Sequence, residues 1–71
     1  MPLTMLPIGK EAVIDRCRAK ESTKKFLEGL GIIPGVALSV ISEINGNMII
    51  SIKGTRIALS KGLAQQLTVI S

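Results

Sequence analysis

Residues 36–60 decide the fold, and their sequence is VALSVISEINGNMIISIKGTRIALS. Apolar and polar residues alternate along three runs of this stretch, and a period of two is typical of half-buried β-strands. Asn45-Gly46-Asn47 and Gly54-Thr55 interrupt the alternation, and both are typical of hairpin turns. The stretch therefore predicts two consecutive hairpins, which together form three antiparallel strands.

The alternation also predicts the register of the first hairpin. A two-residue Asn45-Gly46 loop would place Val40 opposite Ser51, whereas a three-residue loop places Val40 opposite Ile52. We expect the three-residue loop, because a slip of one residue would turn a whole strand face away from the core. The aliphatic face predicted in this way consists of Val36, Leu38, Val40, Ile44, Met48, Ile50 and Ile52.

The second hairpin is expected to turn at Gly54-Thr55, in a type II′ turn with glycine at its first central position. This register pairs Ile52 with Ile57 and sets Lys53 opposite Arg56. Like charges in such positions repel each other. The two cations are therefore either simply solvated or directed toward an acidic partner.

The flanking sequence adds two strands and two helical segments. Glu11–Arg18 and Leu67–Ile70 have strand-like sequences, Ser22–Leu30 predicts a helix, and Ser60–Gln66 predicts a short helical turn that Ser60 caps. Five short strands in so short a chain favour a small, mainly β, antiparallel barrel with one inserted helix, because closure of a barrel removes exposed strand edges. We expect residues 1–71 to form a single domain.

The helix has clear signals at both ends and on one side. Ser22 is expected to cap its start by accepting backbone N–H bonds. Phe26, Leu27 and Leu30 are spaced as one apolar stripe, which predicts that all three face the core. Gly31 stands where helices often end in the left-handed conformation.

Composition excludes most catalytic chemistry. The 71 residues include no histidine, a single cysteine (Cys17) and five scattered acidic residues. Neither a Ser-His-Asp nor a Cys-His catalytic set can be built from them, and no glycine-rich run ends in Gly-Lys-Ser/Thr as a P-loop does. We therefore expect a binding module rather than an enzyme, with no cofactor and no small-molecule substrate, and we expect Cys17 to be a small buried apolar residue.

Charge and hydropathy limit the partners and the location. The formal net charge is +4, which permits contact with nucleic acid or an anionic surface but is also ordinary for a small domain. Binders of single-stranded nucleic acid usually stack bases on several aromatic rings, and Phe26 is the only aromatic residue here. No apolar run reaches the ~18 residues of a membrane span, and no signal peptide is apparent. We expect a cytoplasmic protein.

Three motifs resemble those of the FeoA family. They are Pro7-Ile8-Gly9, Leu27-Glu28-Gly29-Leu30-Gly31-Ile32-Ile33-Pro34-Gly35 and Ile57-Ala58-Leu59, followed by Ala64 and Val69. The most specific part is Leu27-x-x-Leu30-Gly31-x-x-Pro34-Gly35, and the resemblance covers essentially the whole chain. It implies an SH3-like barrel with a helix inserted after an early strand. Family members often carry a basic residue at the position of Phe26.

The resemblance also implies a function. FeoA-like proteins are accessory to bacterial ferrous iron uptake, where they are thought to bind and support a membrane permease whose cytoplasmic part contains a GTP-binding domain. The membrane would then be reached only through the permease. A related barrel occurs as the carboxy-terminal domain of iron-dependent repressors. A basic nucleic-acid-binding module and a detached metalloregulator domain stay open as alternatives, and so does weak self-association.

Metal binding is described for such domains, but this chain offers few ligands for a metal. Ferrous iron favours imidazole, thiolate and carboxylate ligands in combination. With no histidine and a single cysteine, we expect no metal site within one chain, whereas a site shared by two chains stays open.

The predicted site is a protein-binding surface. The helix has a solvated side with two lysines, and two adjacent isoleucines beside a proline turn cannot easily both point inward, so one of them should be exposed. An exposed apolar side chain flanked by cations is a typical small interface. The candidate partner-binding residues, including the hairpin cations, are Lys24, Lys25, Ile32, Ile33, Lys53 and Arg56.

Overall fold

A computed structural model describes all 71 residues, and its five antiparallel strands form one sheet in the order β4-β3-β2-β1-β5. The strands are β1 (Glu11–Cys17), β2 (Ala37–Ile44), β3 (Asn47–Ile52), β4 (Thr55–Ser60) and β5 (Leu67–Ile70). Helix α1 (Glu21–Gly29) lies between β1 and β2, helix α2 (Lys61–Ala64) lies between β4 and β5, and a 3-10 turn (Leu3–Met5) precedes β1. The predicted order of elements is confirmed. No hydrogen-bonded ladder joins β4 to β5, which are the two edge strands. The sheet is therefore open between them and does not close into a complete barrel.

The first hairpin turns more tightly than predicted. Asn45 and Gly46 have φ angles of 50° and 80°, and Ile44 pairs with Asn47. These are the left-handed conformations of a type I′ turn, whose twist matches that of the flanking strands. The predicted three-residue loop is therefore wrong. Ile44, which that loop would have placed on the buried face, is 56% exposed.

A β-bulge in β2 explains how the tight turn still buries the aliphatic side chains. The register shifts by one residue at Ile41, which is left without a partner on β3. Beyond the bulge Val40 pairs with Ile50, and Leu38 pairs with Ile52. The predicted pairing of Val40 with Ile52 is therefore wrong by two residues. Val40 and Leu38 stay on the predicted face, since a shift of two residues keeps a side chain on its side of the sheet. Ile44, on the turn side of the bulge, changes face.

The second hairpin shows the same kind of difference. Its turn is Lys53-Gly54, with φ angles of 50° and 79°, and it pairs Ile52 with Thr55 and Ile50 with Ile57. The predicted type II′ turn and the pairing of Ile52 with Ile57 are both wrong. The pattern could not distinguish the two registers, because each sets two apolar residues of β3 opposite apolar residues of β4.

The core is one cluster of 15 buried side chains, all of them apolar. Strand β3 contributes Met48, Ile50 and Ile52, each 3% exposed or less. The first turn of the chain contributes Leu3, which is fully buried. No side-chain nitrogen or oxygen atom is buried without a hydrogen bond.

The end of α1 was predicted correctly from the sequence, but its start was not. The helix begins at Glu21, its N-cap residue is Lys20, and no side chain caps it. The predicted cap at Ser22 is therefore wrong, because Ser22 already lies inside the first turn. Gly31 has a φ of 88°, which confirms the left-handed end of the helix.

Helix α1 buries only one side chain. Leu27 is 1% exposed, whereas Phe26 is 58% and Leu30 is 38% exposed. The predicted core stripe is thus reduced to Leu27. Around the helix axis Phe26 lies about 100° and Leu30 about 60° from Leu27, so the helix packs on the barrel along a narrow line and both side chains reach solvent.

The predicted helical turn after β4 is confirmed as α2. The Oγ atom of Ser60 accepts a hydrogen bond from the backbone N–H of Leu63 over 3.2 Å. Ala64 is fully buried and Leu63 is half-buried against the core. The residues thus turn inward as expected. Neither helix has the length and apolar character that a membrane crossing needs.

Candidate partner-binding surface

A groove of about 210 Å³ runs between α1 and the end of β1. Lys24 and Glu28 lie one turn apart on α1 and form its helical side. The other lining residues are Arg16, Cys17, Ile32 and Pro34. The groove therefore presents two cations and one carboxylate around an apolar base, and Cys17 lies half-buried in its lining.

The loop after α1 separates the two adjacent isoleucines. The backbone N–H of Ile32 donates to the carbonyl oxygen of Leu27 over 3.0 Å, and that of Gly31 donates to the carbonyl oxygen of Glu28 over 2.9 Å. This pair of bonds is a Schellman motif, in which the residue after the left-handed glycine packs back onto the helix. Ile32 is accordingly 3% exposed, whereas Ile33 is 39% exposed. One isoleucine is exposed as expected, and Ile32 belongs to the core, not to the surface.

The outer side of α1 carries an apolar pair that helical spacing predicts to lie in the core. Phe26 and Leu30 are one helical turn apart and both reach solvent. Lys25 is exposed beside them. The helical spacing that assigned both side chains to the core does not reveal this arrangement, because spacing alone does not say how wide a stripe the core covers.

The positive charge of the protein is concentrated near this helix. Residues 16–25 contain five of the nine cationic side chains and one of the five acidic ones, so this segment alone carries +4. The four cations and four carboxylates in the rest of the chain cancel. We call residues 16–25 the basic segment. The basic segment ends at Lys25, and the exposed Phe26 is the next residue along the chain. Leu30 follows one helical turn later.

The hairpin cations lie elsewhere, at the turn between β3 and β4. Arg56 pairs with Ser51, so the predicted pairing of Lys53 with Arg56 is wrong. Lys53 occupies the turn itself and lines an open groove of about 520 Å³, and Glu11 is another of its lining residues. The only ion pair in the protein joins Lys61 to Glu43 over 3.0 Å, which leaves Lys53 and Arg56 without a carboxylate partner.

No group of three or more histidine, cysteine, aspartate or glutamate side chains lies together in the structure as a metal site would require.

The topology defines the class of protein. Five short antiparallel strands with a helix inserted after the first strand form an SH3-like barrel. The zinc-bound FeoA of Stenotrophomonas maltophilia, which is described as a prokaryotic SH3 domain protein and a candidate activating factor of ferrous iron transport, has the same fold. The TM-score is 0.84 at 23% identity, covering 97% of this chain and 88% of that one.

The comparisons then identify the family. The FeoA domain model matches residues 1–71, and the chain belongs to the FeoA family. The Fe(2+) transport protein A of Methanocaldococcus jannaschii is 37% identical over 68 residues, which cover 96% of this chain and 83% of that protein. A crystal structure of the iron uptake regulatory protein FeoA matches with a TM-score of 0.90 at 27% identity, covering 99% of this chain and 95% of that one. The family consists of transport accessory proteins rather than known enzymes.

Proposed function

We propose that this protein binds the cytoplasmic part of a ferrous iron permease that contains a GTP-binding domain, and that this contact regulates iron transport. Residues 1–71 act as a single cytoplasmic domain in this proposal. The observation that carries it is the match of the FeoA model to all 71 residues. The relative described as Fe(2+) transport protein A supports the same assignment.

The proposed contact surface comprises the groove flank of α1 with Lys24, the exposed Lys25 beside it and the loop that follows the helix. Lys24 and Lys25 supply charge, and Ile33 supplies an exposed apolar side chain next to Pro34, which lines the same groove as Lys24. Apolar anchors provide most of the affinity of an interface, and charges provide steering and specificity. The net charge of the basic segment indicates that the facing surface of the permease is acidic.

Phe26 and Leu30 extend this surface. They lie on the flank of α1 away from the groove and are held there by the packing of Leu27, which fixes the rotation of the helix. Aromatic side chains are enriched among the residues that dominate binding energy. We therefore assign Phe26 to the contact in addition to the cations.

The test is retention of the protein by membranes prepared with and without the permease. K24E/K25E should fold as the wild type does, since changes at solvated surface positions alter stability by only about 0.5 kcal/mol. Its retention should fall, and the loss should be larger at low ionic strength, where charges are least screened. K25E and K10E form a matched pair, because both replace an exposed lysine by glutamate and only the first lies on the proposed surface.

Two results would contradict the proposal. Wild-type retention of K24E/K25E, with restored ferrous iron uptake in a deletion strain, would exclude this side of α1. Equal retention of the wild-type protein by membranes with and without the permease would exclude the permease as the partner.

A nucleic-acid-binding module is the second candidate, and the concentration of charge in the basic segment favours it. Phosphate contacts release counterions, so this kind of binding weakens steeply with added salt. Titration of a labelled single-stranded RNA at several salt concentrations separates the two functions, because an interface with an apolar anchor depends on salt much less.

A further inference from the structure

The sheet has two edge strands, and only one of them is covered. On β5, Val69 exchanges two hydrogen bonds with Met1: the Met1 nitrogen donates over 3.0 Å and the Val69 N–H donates over 2.7 Å. Pro2 forms a bridge with Thr68 beside them. On β4 no segment of the chain lies along the outer edge. An uncovered edge is a template for pairing with another strand.

The pairing of β4 with β3 determines which backbone N–H and C=O groups of β4 have no hydrogen-bond partner. In an antiparallel pair, successive residues point their backbone N–H and C=O groups alternately toward the partner strand and away from it. The tight turn at Lys53-Gly54 directs Thr55, Ile57 and Leu59 toward β3. The backbone N–H and C=O groups of Arg56 and Ala58 therefore point away from β3, toward the open edge of the sheet. Neither residue takes part in any backbone hydrogen bond outside the strand ladders. Two N–H and two C=O groups are left free on one edge.

The usual devices that block an edge strand are few on β4. The strand is paired along all six residues without a bulge, and it contains no proline. Its outward side chain at Ala58 is small and exposed, so it leaves room for a neighbouring backbone. The only charge on the strand is Arg56.

The cationic side chains at this edge indicate what kind of peptide segment could pair with β4 as a further strand. Arg56 lies on β4 and Lys53 lies in the adjoining turn, and neither is paired with a carboxylate. An incoming segment with acidic side chains would supply the missing partners. A second copy of this chain is less suitable, since each copy carries +4 and pairing would bring two Arg56 side chains to the same edge.

We propose that β4 binds an extended acidic peptide segment as a sixth strand, through the free backbone groups of Arg56 and Ala58. The carboxylates of the segment contact Lys53 and Arg56. Recognition of this kind takes affinity from main-chain hydrogen bonds and specificity from side chains at alternate positions. The site is distinct from the α1 surface, and it does not rest on the permease as partner.

The experiment is an NMR titration of the 15N-labelled protein with an end-capped octapeptide of alternating threonine and glutamate. We expect the largest amide shifts at Arg56 and Ala58, together with slower hydrogen exchange at both. The control peptide, which alternates threonine and lysine, should produce neither effect. K53E/R56E should reverse the preference between the two peptides.

A58P removes one outward donor without touching the ladder, because a proline is tolerated on an edge strand where its missing N–H faces away. The loss of one hydrogen bond of about 1 kcal/mol corresponds to roughly fivefold weaker binding. An Ala58→Gly variant, which keeps the donor, should bind as the wild type does. Thermal melts of all variants establish that each is folded.

Several outcomes would overturn the proposal. These are the absence of shifts at millimolar peptide, unchanged affinity in A58P, and shifts confined to the basic segment, which would place the acidic peptide at α1 instead. Concentration-dependent broadening of the β4 amides without peptide would assign the edge to a second copy of the chain.

Discussion

The backbone N–H of Ile32 is bonded to the carbonyl oxygen of Leu27 over 3.0 Å, and both side chains are almost fully buried. This relationship fixes the end of α1 and the direction in which the following loop leaves it. The bond forms only because Gly31 between them adopts a positive φ of 88°. The orientation of the proposed contact surface thus depends on one backbone conformation.

Gly31→Val should destabilise the protein by about 1–3 kcal/mol, the cost of holding a non-glycine residue in a sparsely populated backbone region. Nothing lies within 4 Å of the position that a Cβ atom would occupy at Gly31, so the cost is conformational rather than steric. Gly29→Ala is the matched control, since Gly29 is helical with equally open space around it. It should leave stability unchanged or raise it by up to about 1 kcal/mol. Urea denaturation of both variants measures the difference, and equal stabilities would refute the assigned helix end.

Leu27→Ala should cost about 2–5 kcal/mol, because it leaves a cavity under a side chain that is 1% exposed. Leu30→Ala, at a position that is 38% exposed, should cost about 1 kcal/mol or less. Equilibrium unfolding of the two variants checks the rotation of α1. A larger loss in Leu30→Ala than in Leu27→Ala would mean that the helix faces the barrel with its other side.

Lys53→Asn should stabilise the protein by a few tenths to about 1 kcal/mol. Lys53 has a φ of 50°, which asparagine adopts more readily than lysine does, and the change creates the Asn-Gly pair preferred in type I′ turns. The measurement is the denaturation midpoint, with Lys10→Asn as a control that removes the same charge outside a turn of this type. A lower midpoint for Lys53→Asn would contradict the turn assignment.

Phe26→Ser should change stability by only about 0.5 kcal/mol, because the ring is 58% exposed. Retention by membranes that contain the permease should nevertheless fall, since this ring is the largest apolar side chain on the proposed surface. Met5→Ser, at a position that is 66% exposed on another element, controls for the general loss of exposed apolar area. Equal retention of both variants would remove Phe26 from the contact.

The sequence predicted the order of the elements and the faces of the strands, but not the register. The predicted partner of Val40 is Ile52 and the observed partner is Ile50, an error of two residues that leaves Val40 on the buried face, whereas Ile44 was predicted on that face and is exposed. The hydrophobic pattern has a period of two, so it cannot distinguish registers that differ by two. The missing information lies in the left-handed conformations of the turns and in the bulge at Ile41.

Only part of the candidate surface could be predicted, because a sequence pattern does not show how elements pack against each other. Lys24, Lys25 and one exposed isoleucine were anticipated from the sequence, and the structure places Lys24 beside Arg16 in one groove. Phe26 was missed because helical spacing alone cannot say how wide a stripe the core will cover. That width depends on how closely the helix approaches the sheet, which is a tertiary property.

The confinement of net charge to the basic segment gives the molecule an electric dipole. A partner with a negative potential therefore exerts a torque on the protein before any atoms touch, and this torque turns the first helix forward during approach. At physiological ionic strength the field decays over about 8 Å, whereas the longest axis of the protein is 29 Å. The orienting effect thus operates only in the last step of diffusion, and it improves the alignment of encounters in which the basic segment already lies close to the partner surface.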